Sequence, residues 1–560
     1  MPFTPATAEQ RFVLETVAAI GELTDAGPDV IDAVLEGVGQ LAAGEWAPLN
    51  REGDLVGAKL TERGVVMPEG FAAAYKAYVE GGWGTIGVPE TWGGQGLPFV
   101  VQAAVLETLG AANMSLALAP TLTVAAIEAL IHHGSPEQQA TYLPHLVTGE
   151  WTGTMNLTEP QAGSDVGALK TRATPRGDGT WAISGTKIFI SFGDHDMAEN
   201  IVHLVLARTP DAPAGTKGIS LFLVPKYRLD AEGRPGAFND VRVVSIEHKM
   251  GLHASPTCVL SYGDGGDCVG ELIGPELGGM RAMFTMMNNA RLNVGLQGVQ
   301  IAERTTQAAL AYARERVQGS RGGAPVAIIE HPDVRRMLMR MKAQTQAARA
   351  LVYYAASQVD RAAAGDAAAK ARLELLTPLA KAHATDLACE VTSLGVQVHG
   401  GMGYIEETGV AQYFRDARIP PIYEGTNGIQ AADLVGRKLV MEGGGVVARL
   451  IEEMRGDAEG EPLRALVAAC DAVAQHLLAA EPDDRLAAST PFLTMLSVAV
   501  CGWLMEKQAR AAGGDDFGAA KRAVARFYGE QIVPEALGLK AAATAGADAL
   551  YALSAEALAG

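Results

Sequence analysis

The sequence predicts an α+β multidomain protein. A helical domain is expected over residues 1–150, a β domain over 151–277, a helical bundle over 278–442 and an additional helical domain over 446–560. Three observations predict it. The 560 residues exceed what one hydrophobic core organises, so three or four domains are expected. Apolar periodicity changes from helical to strand-like near Trp151 and back again near Gly278. Apolar residues make up 48% of the chain and charged residues 19%, the balance of a well-buried protein.

Up to about residue 150, Ala- and Leu-rich stretches are broken by clusters such as Gly81-Gly-Trp-Gly84 and Pro89-Glu-Thr-Trp-Gly-Gly-Gln-Gly96. Ser135-Pro136-Glu137 reads as a helix start, with a serine cap, proline at the first helical position and an early acid. After Trp151 come short β-rich runs: Trp181-Ala-Ile-Ser184, Lys187-Ile-Phe-Ile-Ser191, Ile201–Leu206, Ile219–Val224 and Val241–Val244. Turn residues separate them and no long helical pattern intervenes, so a mostly antiparallel sheet or small barrel is expected. Beyond Gly278, Val334, Leu338, Met341, Thr345, Ala348 and Val352 form a helical stripe. Ala380, Ala384, Leu387, Val391, Leu394 and Val398 form another, which stops at Gly400-Gly401. Long helices with short connections imply an antiparallel bundle. Gly443-Gly-Gly445 reads as a linker to a final Ala-rich helical segment.

The net charge of −19 disfavours a nucleic-acid partner, whose backbone is bound by basic residues. Five scattered cysteines without a Cys-x-x-Cys pair read as free thiols in a reducing cytoplasm. The first residues show no basic segment followed by an apolar one, and no uninterrupted apolar run of membrane-spanning length is apparent. No Gly-x-Gly-x-x-Gly after a strand, no phosphate loop, no Gly-x-Ser-x-Gly elbow and no metal-ligand spacing of histidines is present.

The chemistry concentrates in five tracts. Tyr423-Glu424-Gly425 sets a carboxylate between an aromatic and a glycine, after a glycine-rich turn. Apolar company raises a carboxylate's pKa, which suits proton abstraction next to a carbonyl. Met155–Asp165 forms a Pro- and Gly-containing loop whose free N–H groups suit a polar ring edge or phosphate. Gly185–Ser191 reads as a strand. Arg314–Gly319 and Ile329–Pro332 flank a loop on the bundle. Gln397–Tyr404 places three glycines where backbone can approach a ligand closely.

In order, spacing and residue type, these tracts resemble the acyl-CoA dehydrogenase family over roughly residues 45–440. The resemblance implies FAD and a base, Glu424, that starts α,β-dehydrogenation of an acyl-CoA to trans-2-enoyl-CoA. Some relatives carry the base on the earlier helix, where this chain has Ala290. It implies flavin contacts for Met155, Leu157 and Thr158. Phe189 stands where a tryptophan is common and Ser191 where a threonine is, and together they would cover one flavin face. Arg316 would pair with the cofactor's pyrophosphate; Gln397, Gly400 and Gly401 would meet the partner subunit's flavin; Thr426 and Asn427 would reach the cofactor. Ser164, Arg291 and Gly425 would contact the substrate. The length beyond 445 is similar to a long bacterial subgroup that includes large fatty-acyl-CoA and methylmercaptopropionyl-CoA dehydrogenases, so a short or sulfur-containing acyl chain is expected. The resemblance further implies an electron-transfer flavoprotein as acceptor and a homodimer or homotetramer. An acyl-CoA oxidase, a DNA-binding flavoprotein of the same fold and a catalytically silent assembly protein stay open as rivals.

Overall fold

The computed structural model of the chain describes residues 3–560. The N-terminal part is helical: α1 (Thr7–Thr16), α2 (Pro28–Leu41), α3 (Ala47–Val56), a hairpin of β1 (Lys59–Thr61) and β2 (Gly64–Val66), α4 (Phe71–Glu80), α5 (Phe99–Ala112), α6 (Met114–His133) and α7 (Pro136–Thr148). The Ser135 cap is present: its hydroxyl accepts the Gln138 N–H at 3.2 Å, and the Gln138 side chain accepts the Ser135 N–H at 3.0 Å. Helix α6 is long and apolar enough to cross a membrane by length and composition, yet 83% of its apolar window is buried inside the protein. It is apolar all round because α5, the strand Trp151–Asn156 and the helix Gly279–Glu315 enclose it, as a central helix requires.

The β region holds β3 (Trp151–Asn156), β4 (Arg172–Pro175), β5 (Trp181–Ser191), β6 (Asn200–Ala207), β7 (Ser220–Pro225), a side hairpin of β8 (Tyr227–Leu229) and β9 (Pro235–Phe238), β10 (Val241–Ile246), β11 (Thr257–Tyr262) and β12 (Val269–Ile273). Eight of these strands form one sheet in the order β10-β11-β5-β12-β7-β6-β3, with β4 also paired to β5. It is antiparallel except at β3–β6, where Trp151 pairs with Asn200 and Asn156 with Val205. Strands β3, β6 and β7 are buried along their whole lengths, which explains their continuous apolar runs.

The bundle consists of α8 (Gly279–Glu315), a hairpin of β13 (Val317–Arg321) and β14 (Ala324–Ala327), α9 (Pro332–Ala363), α10 (Ala367–His399), α11 (Val410–Asp416) and α12 (Asn427–Asp433). Both predicted stripes lie on the buried faces of α9 and α10. Gly295 and Gly298 let α8 press onto α10: a Cβ there would lie 2.8 Å from the Ala380 carbonyl oxygen and 2.3 Å from that of Ala384. At the linker, Glu442, Gly443 and Gly444 all have positive φ. The remainder is helical: α13 (Gly445–Asp457), α14 (Glu461–Ala479), α15 (Pro482–Ala487), α16 (Ser489–Ala511), α17 (Asp516–Phe527), α18 (Val533–Leu537) and α19 (Ala555–Leu558).

Helix α16 packs on α9 and α10 and joins a single apolar core with α1, α2, α5 and the bundle. Buried charges run through this junction. Arg349 on α9 donates to Glu107 at 2.8 and 2.9 Å and to Glu303 at 2.8 Å. Lys521 on α17 meets Glu9 on α1 at 2.5 Å. Removing one partner leaves an uncompensated buried charge. Arg349→Met should therefore lower stability by about 3–5 kcal/mol, read as a reduced urea midpoint.

Candidate active site

The tract after α11 is fixed at both ends before it delivers any chemistry. At its start, Arg415 donates two bonds to buried Asp54 on α3, at 2.9 and 2.5 Å. Next to it, Asp416 accepts the Leu252 N–H from the β region at 2.6 Å, and burial pushes its carboxyl up to about 6. At its end, the Asn427 side chain is spent on α10. It accepts from Lys381 at 2.8 Å and donates to Thr385 at 2.9 Å and Asp386 at 2.7 Å. In this structure the Asn427 side chain thus anchors the loop to α10. Thr426 caps α12, accepting the Ile429 N–H at 3.2 Å.

Between the anchors, Glu424 has φ of +55° and Gly425 of +83°. A left-handed glutamate costs about 1–3 kcal/mol and persists only where its surroundings over-determine it. Glu424 keeps a partly open surface, yet protein packs so densely around it that burial raises its carboxyl above the usual range. Two cations oppose that rise, Arg291 from α8 and Lys381 from α10. Arg291 is 7% exposed, and its Nη2 lies 3.7 Å from where a Gly425 Cβ would stand. Lys381 is fully buried; desolvation draws its amine down to about 8 against the pull of Asp386 and Glu424. The sequence reading missed Lys381. Its signal was a lysine next to Ala380 inside an apolar stripe.

A second wall comes from the β region. The Ile188 N–H donates to the Thr158 carbonyl at 3.0 Å, tying β5 to the loop after β3. Below that loop, Lys187 donates to the Leu157 carbonyl at 3.0 Å and to Glu159 at 2.8 Å. Burial disfavours charge on Glu159, but Lys187, Thr171 and the Lys170 N–H outweigh it and bring its pKa to about 2. Desolvation draws Lys187 down to about 8. Sequence reasoning passed over both residues, since each reads as an ordinary polar position until the pair is seen. Met155 is buried, Leu157, Thr158 and Ser191 are half-buried, and Ser164 is exposed. Phe189 is 59% exposed and held at φ of +59°.

The remaining expected residues lie elsewhere on the surface. Arg316 is exposed at the end of α8, where the predicted loop is the β13–β14 hairpin. His331 is bound within that hairpin region, 2.8 Å from the Gln318 carbonyl oxygen. Gln397, Gly400 and Gly401 are exposed, with open space where either glycine's Cβ would stand.

These residues fit a large planar ring with a phosphate-bearing tail. An outward aromatic in strained backbone, a hydroxyl beside it, a pinned polar loop and glycines with open space are compatible in polarity with FAD.

Four family models match the chain. They are the acyl-CoA dehydrogenase N-terminal domain over residues 31–150, the middle domain over 154–264, the C-terminal domain over 278–440, and an acetyl-CoA dehydrogenase C-terminal-like domain over 446–554. The chain is 49% identical to 3-methylmercaptopropionyl-CoA dehydrogenase of Ruegeria pomeroyi, covering 93% of this chain and 92% of that one. It is 38% identical to a butyryl-CoA dehydrogenase of Syntrophomonas wolfei, covering 94% and 93%. Among solved structures, Caenorhabditis elegans ACDH-11 in complex with C11-CoA shares the fold, with a TM-score of 0.80, 21% identity and coverage of 95% and 91%.

A raised carboxyl has a stability consequence. Its favourable contribution is present below the unfolded pKa and lost as pH rises through the higher folded pKa. Glu424→Gln should therefore gain in melting temperature over the native chain as pH rises from 4 to 8, measured by thermal unfolding across that range.

Proposed function

The chain belongs to the acyl-CoA dehydrogenase family, and from that premise we propose that Glu424 takes the α-proton of the bound thioester. The reaction is the FAD-dependent α,β-dehydrogenation of an acyl-CoA to a trans-2-enoyl-CoA. The observation that carries the role of Glu424 is its desolvation between two buried cations. Burial makes the carboxylate basic enough to attack a weak carbon acid. Arg291 and Lys381 oppose that rise in basicity and favour the charged form. The negative charge that develops on the thioester oxygen calls for preorganised donors, and the Glu424 backbone N–H is one candidate.

FAD, when bound, supplies the acceptor for the hydride that leaves the β-carbon. For its isoalloxazine we assign Met155, Leu157, Thr158, Phe189 and Ser191, with Lys187 and Glu159 holding the loop in place. Arg316, Gln397, Gly400 and Gly401 are assigned to the remainder of the cofactor across a subunit boundary, with Thr426 at the catalytic loop. Ser164, Arg291 and Gly425 are assigned to the substrate. We further propose a homodimer in the cytoplasm, with α13, α16 and α17 covering part of the bundle surface and an electron-transfer flavoprotein as acceptor. The substrate proposed is a short acyl-CoA such as 3-(methylthio)propionyl-CoA, supported by the 49% identity with the Ruegeria pomeroyi enzyme.

Three outcomes are expected. Glu424→Gln should bind acyl-CoA yet bleach the flavin at least about 10³-fold more slowly under anaerobic mixing, and rapid bleaching would refute the base. Lys187→Met should weaken FAD retention about tenfold by equilibrium dialysis, the cost of one buried charged anchor. Turnover in air should release little peroxide compared with turnover on an artificial acceptor; stoichiometric peroxide would identify an oxidase instead.

A further inference from the structure

Helix α8 carries a buried polar stripe that the roles assigned so far leave unused. Asn293, Gln297 and Gln300 recur at spacings of four and three, which sets them on one helical face. Their exposures are 2%, 3% and 2%. The opposite side of α8, at Gly295 and Gly298, is the one pressed onto α10. Interior carboxamides are costly unless their donors and acceptors are matched. Two atoms of this stripe are unmatched among the described residues: Nδ2 of Asn293 and Oε1 of Gln300.

The stripe is nonetheless held in place from two directions. The Gln300 NH2 donates to the Leu106 carbonyl of α5 at 2.9 Å. The Tyr423 hydroxyl donates to Oε1 of Gln297. Tyr423 immediately precedes Glu424, so this bond brings a carboxamide beside the residue assigned as the base.

Resting on the acyl-CoA reading above, we propose that Asn293 and Gln297 form the end wall of the acyl pocket. They select a short acyl chain whose distal part carries a hydrogen-bond acceptor, a thioether or an ether, over its all-carbon isostere. An amide NH2 that meets sulfur or oxygen recovers a partner; one that meets a methylene stays unpaired. Thioether sulfur is a weak acceptor, so the discrimination is about tenfold rather than the far larger ratios seen for hydroxyl-reading sites.

The test compares kcat/KM for 3-(methylthio)propionyl-CoA, 3-methoxypropionyl-CoA and pentanoyl-CoA, acyl groups of equal chain length, using an artificial electron acceptor. Native holoenzyme, Gln297→Met and Asn293→Leu are measured side by side, each normalised to bound flavin. The native enzyme should favour the two acceptor-bearing chains by about tenfold, and each variant should bring that ratio to within about twofold of unity. Two variants are used so that a folding failure in one leaves the other to decide. A native enzyme indifferent to the acceptor, or a preference that survives in the variants, overturns the wall. Better turnover of long straight chains than of all three keeps dehydrogenation and overturns the wall alone. Holoenzyme inert toward every acyl-CoA overturns the proposed function and the wall with it.

Discussion

The constraint on which the rest depends is the desolvation of one carboxylate at a left-handed backbone position. Glu424 is made basic by being taken out of water, and Arg291 and Lys381 limit how far that goes. Neither half works alone. Burial alone favours the protonated acid, and cations alone lower the carboxylate's basicity. Both cations come from long helices packed against each other, so the local electrostatics are set by the α8–α10 contact. Gly295 and Gly298, which permit that close approach, are thus part of the site although they touch no substrate.

Backbone strain at Glu424 has to be sustained by the surroundings, and three separate regions contribute. Asp54 belongs to the N-terminal helices, Leu252 to the β region and Asp386 to α10. Each fixes a different residue of the segment from Arg415 to Asn427. The loop is therefore held where the three main units meet, which is where small shifts of one unit would alter the base.

The opposite wall obeys the same logic with a single ion pair. Lys187 and Glu159 are both buried, and the pair satisfies a backbone carbonyl in the loop as well as itself. A buried pair contributes little net stability, so its value lies in geometry: it sets where the Leu157–Thr158 peptide stands. The trailing helices follow a different rule. Helix α16 buries an apolar surface against α9 and α10, and the Lys521–Glu9 pair ties the two ends of the chain together. The trailing helices thus share one apolar core with the bundle.

Much of the molecule was legible in the residues. The stripes of α9 and α10, the Ser135 cap and the change from helical to alternating periods are local, and local patterns follow from which faces must leave water. The glutamate tract was legible because residue type and order survive in a linear reading. What the sequence left open is what depends on distant partners. The hold of Asn427 on α10 is not visible in the sequence, because its partners lie more than 40 residues away. Lys381, Lys187 and Gln297 read as chance polar positions until their partners, 46, 28 and 126 residues away, arrive beside them. Helix α6 is apolar along most of its length, and only its enclosing neighbours show that all of its faces are buried. Hydrophobic period and motif order are properties of neighbours in the chain, whereas pairing of buried charges is a property of neighbours in space, and only the folded structure decides it.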